Sequence, residues 1–110
     1  MMVIGPRVAK QRLWALPENV RRAIWALYQE THNAHHISID TVDGVRRDET
    51  TVSDIFWWAK VMRPLAAAGW LVTKQTDGRD SPYVRCWQRE LTLADLKLPV
   101  GQPALEKNQK

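Results

Sequence analysis

Residues 51–68, TVSDIFWWAKVMRPLAAA, constrain the fold of this chain more than any other stretch, because they carry apolar side chains most of the way round a helical cylinder and stop at Gly69. On a helical count Val52, Ile55, Phe56, Ala59 and Met62 form one stripe, and Trp58, Val61 and Leu65 extend it sideways. Ser53, Asp54, Trp57 and Lys60 are left for solvent. A helix this apolar must be covered on most sides, by its own domain or by a second copy of the chain. Thr51 and Asp54 have the spacing of a capping box, so the helix is expected to start there, with Asp48 and Glu49 complementing its positive end. Pro64 offers no N–H to the Lys60 carbonyl and disfavours helical geometry at Arg63. Either the helix kinks there, or it ends near Met62 and a second short helix opens with Pro64. Gly69 is the expected C-cap.

Two strands are expected beyond the glycine, near 70–75 and 83–89. Tyr83, Arg85, Trp87 and Arg89 would share one face of the second, and Val84, Cys86 and Gln88 the other. The link between them, TDGRDSP, is rich in turn formers, and Pro82 is tolerated at a strand start. One turn of helix is expected in LTLADLKLP, then a polar tail, 99–110. Ahead of the apolar run, residues 7–16 read as a short amphipathic helix with Val8, Leu13 and Leu16 at helical spacing. Pro17 suits the first turn of a second helix whose inner face carries Val20, Ile24, Leu27 and Tyr28 or Thr31. Residues 37–42, ISIDTV, alternate apolar and polar and read as a short strand. Asp43-Gly44 then makes either the turn of a hairpin 37–42/45–49, or an irregular link or short helix.

Length and composition narrow the function. The 110 residues suit one domain, here 1–98. Cys86 is the only cysteine, so an internal disulfide and a CxxC zinc site are both excluded, which suits a reducing compartment. MMVIGPRVAKQR is not a signal peptide, and the longest uncharged apolar run is too short to span a bilayer, so a cytoplasmic location without membrane contact is expected. His32, His35 and His36 lie where the second helix should end. They lack a supporting carboxylate or cysteine, and are read as complementing the helix dipole rather than holding a metal. No metal and no cofactor is expected. No Gly-rich phosphate loop, telling carboxylate pair or Cys/His arrangement points to an enzyme. The net charge of +4 is compatible with a polyanionic partner, and the basic residues gather in 1–31 and 60–89 while 40–54 is acidic.

The run LAAAGWLVTKQTDGRDSPYVRCW resembles the end of the recognition helix and the wing of bacterial winged-helix regulators, including the MarR type. Leu65, Ala68, Gly69, Trp70 and Leu71 match the helix end and the first wing strand, and Asp77, Gly78, Arg79 and Asp80 fall at the wing tip. Two features depart from the family pattern: Thr51-Val52, the pair expected to open the reading helix, stands well upstream of Gly69, and Pro64 lies between. The resemblance implies an α+β winged helix-turn-helix, its helices packed on a small antiparallel sheet with a C-terminal β-hairpin wing. It implies binding to double-stranded DNA, as in a small prokaryotic, phage or plasmid transcription regulator. Lys74, Arg79 and Arg85, joined by Arg46, Arg47 and Lys60, would neutralise phosphates, while Thr50, Thr51 and Ser53 would touch bases or phosphates.

A second reading starts from the six tryptophans, since Trp is enriched at interface hot spots. In it Trp57 and Trp58 anchor a protein partner or the second subunit of a homodimer, and the chain is a phage- or plasmid-type accessory or inhibitory protein. The apolar helix favours a dimer.

Overall fold

The computed structural model describes residues 5–75 and 82–99, and for 73–75 and 82–85 the backbone path. The first helix, α1 (Pro6–Trp14), carries proline in its first turn, where the missing N–H costs nothing. It buries Ala9 and Leu13, one turn apart, and Leu16 beyond its end packs on the core, so the expected face holds except at Val8, which stands 43% exposed while Ala9 takes its place. The second helix, α2 (Glu18–Thr31), follows Pro17, whose carbonyl accepts the Val20 and Arg21 N–H groups. It buries Val20, Ala23, Ile24, Leu27 and Thr31, a stripe at helical spacing as the sequence indicates.

The expected strand over 37–42 is replaced by a helix, α3 (Ile39–Glu49), and Ile37 alone keeps a β-bridge. Ser38 decides the outcome: its Oγ accepts the Thr41 N–H at 3.0 Å as an N-cap, and Asp40 lies in the positively polarised first turn. Val42 and Val45, three residues apart, then face inward together, with α3 packed on α2. Asp43-Gly44 is therefore mid-helix and not a hairpin turn.

The apolar run forms one unbroken rod over 54–67. It is built of α4 (Asp54–Trp57), a π-helical turn (Trp58–Met62) and α5 (Arg63–Ala67). It starts two residues later than the Thr51 cap implies, because the Ser53 Oγ accepts the Phe56 N–H at 3.1 Å. Thr50 instead caps the end of α3, its Oγ1 accepting the Val52 N–H at 2.9 Å. Pro64 explains the π turn. In an α-helix its ring would meet the Lys60 carbonyl. Here the Arg63 N–H reaches back five residues to the Trp58 carbonyl, and the widened turn lets Pro64 open α5 without a break in the rod.

Gly69 ends the rod as expected, with φ +87°. Its N–H donates to the Ala66 carbonyl and that of Trp70 to the Leu65 carbonyl, both at 3.0 Å, the paired bonds of a Schellman cap. Strands β1 (Leu71–Gln75) and β2 (Pro82–Trp87) pair antiparallel. Their register shifts between Val72, opposite Cys86, and Thr73, opposite Val84. Arg85 is thus the extra residue of a bulge, and the simple alternation expected along this strand is interrupted. The expected wing tip, Asp77 to Asp80, and the tail beyond Pro99 lie outside the described residues.

The core gathers Leu13, Ile24, Leu27, Trp57, Met62, Leu65, Trp70 and Leu71, with α1 and β1 packed on α5. The chain's own elements thus cover the apolar side of the rod. A 3-10 turn (Ala94–Leu96) closes the domain, where one helical turn was expected. Leu91, Leu96 and Leu98 are buried, and Arg21 Nη1 donates to the Leu96 and Lys97 carbonyls at 2.9 Å.

Candidate nucleic-acid interface

The rod is two-sided. Inward it buries Trp57, Val61, Met62, Pro64 and Leu65; outward it exposes Asp54, Ile55, Ala59, Lys60 and Arg63. Thr51 and Ser53 are exposed just ahead of its first turn. The outward residues recur at intervals of four, which lays Ile55, Ala59 and Arg63 along one stripe with Lys60 beside it. Asp54 is engaged locally, its Oδ1 accepting the Ile55 N–H at 2.9 Å.

The turn between α3 and the rod is braced from below. Arg46 donates through Nε to Asp43 Oδ1 at 2.9 Å and through Nη1 to the Val52 carbonyl at 2.8 Å. Arg47 Nη1 reaches Asp43 Oδ2 at 3.2 Å. The hydrogen bond from Arg46, reinforced by the charges of both arginines, holds the Asp43 carboxyl below its ordinary value. Arg46 is 12% exposed along its side chain and Thr50 is buried, so both are fixing residues of the turn rather than open contacts.

The other nominated residues divide. Arg47, Thr51, Ser53 and Lys60 are exposed, although the Ser53 hydroxyl already serves as a cap. Lys74 and Arg85 lie in β1 and β2, and Arg79 lies outside the described residues. Trp57, expected on the solvent side, is 1% exposed in the core, so its ring is not available to a partner. Trp58 is half-buried against the same core. Ile55 and Ala59, expected on the covered apolar stripe, are exposed instead and line up with Arg63 at four-residue spacing, because the inner face of the rod runs through Trp57, Val61 and Leu65.

A second surface lies on α2. Trp25, Tyr28 and His32 stack in sequence, with centroids 5.6 and 4.9 Å apart, and Trp87 meets Tyr28 edge-on at 4.9 Å. These rings, with Gln88 to Leu91, line an open groove of about 470 Å³. The Trp87 Nε1–H is fixed to the Thr31 Oγ1 at 2.8 Å, and His32 Nδ1 donates to the Tyr28 carbonyl at 3.0 Å. Among the described residues no three His, Cys, Asp or Glu side chains are grouped to hold a metal ion, and no helix is long and apolar enough to cross a membrane. Comparison with protein-family models, with curated proteins and with solved structures returns no match for this chain.

Proposed function

We propose that the chain is a winged-helix DNA-binding domain, in the manner of a small prokaryotic, phage or plasmid transcription regulator. The rod 54–67 is its recognition helix, α2 and α3 are the helices before it, and β1–β2 is its wing. The observation that carries this reading is the two-sidedness of the rod. One face is committed to the core through Trp57, Val61, Met62 and Leu65, while Thr51, Ser53, Ile55, Ala59, Lys60 and Arg63 are left to solvent shortly before two paired strands that carry Lys74 and Arg85. Such a helix can enter a major groove as the hairpin follows the backbone. Burial of Trp57 takes away the main anchor of the rival protein-docking reading. The acids near the rod weigh the other way only in part, since Asp43 is held by two arginines and Asp54 accepts the Ile55 N–H, whereas Asp48 and Glu49 are exposed.

The test is a titration of duplex DNA at several salt concentrations. Affinity should fall steeply with salt, and Lys60→Ala and Arg63→Ala should each lower the slope of log K against log salt by about 1. Absence of duplex binding at low salt overturns the reading.

A further inference from the structure

Among the described residues Ile55 is the most exposed large apolar side chain, at 78%, against 43% for Val8 and 40% for Ile39. It lies in the first turn of the rod, just after the Ser53 cap, and its Cβ branch limits the rotamers it can adopt. Ala59, one turn on, continues the apolar stripe, Arg63 ends it and Lys60 lies beside it, while the Asp54 carboxylate next to Ile55 accepts the Ile55 N–H. Among the described residues the apolar partners of the rod lie on its opposite face. Its chemistry is a short apolar line with cations beside and at the end of its second half. On duplex DNA one base-edge group is apolar and lies in the major groove between two phosphate backbones, the 5-methyl of thymine.

We infer that Ile55, supported by Ala59, reads thymine 5-methyl groups, so that the preferred site contains an A·T pair under the first turn of the rod. The inference rests on the DNA-binding reading and adds to it a base preference and the residue that sets it. Lys60 and Arg63 hold the rod against the backbones, and their contribution is the same for any sequence. Uracil pairs with adenine but lacks the methyl, so it separates the apolar contact from every hydrogen bond on the same base pair.

The experiment selects a preferred duplex from a randomised pool, then replaces its thymines by uracil one at a time and measures affinity for wild type and Ile55→Ala. The side chain is exposed and alanine is a good helix former, so the variant keeps its fold, which circular dichroism verifies. At one or two positions uracil should weaken wild-type binding about three- to tenfold, the scale of one or two lost apolar carbon contacts. Ile55→Ala should bind the thymine and uracil duplexes equally, with an unchanged salt slope. Wild-type indifference to every replacement, or undiminished discrimination by Ile55→Ala, overturns the inference while leaving DNA binding intact. Absence of duplex binding at low salt removes the underlying reading and the inference with it.

Discussion

Arg46 Nη1 donates to the Val52 carbonyl at 2.8 Å and so ties the last turn of α3 to the approach of the rod, with the Asp43 carboxylate holding the other side of the guanidinium. The Asp43 carboxyl titrates below its ordinary value, so the folded state binds the proton less tightly than the unfolded chain. Its contribution to stability is therefore present above the ordinary carboxylate pKa, about 3.9, and is lost as pH falls through the folded value. Thermal melts of wild type and Asp43→Asn between pH 3 and 7 should show the variant less stable by a constant margin above about pH 5, with the two curves converging in acid. A margin that widens in acid would contradict this.

Gly44 and Gly69 should respond to alanine with opposite signs. Gly44 lies inside α3, and a Cβ there meets nothing within 4 Å, so Gly44→Ala should stabilise by about 0.5–1 kcal/mol. At Gly69 a Cβ has room as well, its nearest neighbour being Arg89 Nη1 at 3.9 Å, but φ of +87° is unfavourable for any residue with a side chain. Gly69→Ala should cost about 1–2 kcal/mol. Urea titration of both variants measures the two shifts.

Trp57→Ala should lose about 3–5 kcal/mol, the loss typical of an emptied core tryptophan site. Against a domain stability of about 5–15 kcal/mol this is close to unfolding. The readout is a fall in denaturation midpoint. A variant that keeps wild-type stability would place the ring on the surface after all.

Thr31 accepts the Trp87 Nε1–H at 2.8 Å and itself donates to the Leu27 carbonyl, which joins the hairpin to α2. Thr31→Val keeps the shape and removes both bonds, so it should cost about 1–3 kcal/mol, because the indole N–H loses its acceptor. Trp87 fluorescence is masked by the other tryptophans, so hydrogen exchange of the β2 amides is the sharper local readout.

The parts of the fold legible in the sequence are those whose cause is local. The stripe of α2, the Gly69 stop and the two strands depend on spacing and on one residue's φ preference, and they fall within a residue or two of the expected bounds. Residues 37–42 carry a true alternation, but Val42 also pairs with Val45 at helical spacing, and packing on α2 together with the Ser38 cap selects the helix. The candidate site was half legible. Lys60 and Arg47 are exposed where expected, whereas Arg46 and Thr50 turn inward for partners that only the folded turn supplies. Trp57 was misplaced because a uniform count of 3.6 residues per turn has no room for a π turn.

That π turn also sets the phase between the two halves of the rod. Were the same residues to run straight through in α geometry, 58–62 would turn about 100° further, and residues 54–57 would rotate by that angle relative to 63–67. Trp57 would swing out of the core and Ile55 would leave its line with Arg63. The widening of this turn next to Pro64, more than the identity of the side chains in 58–62, therefore fixes which residues the helix shows to the outside.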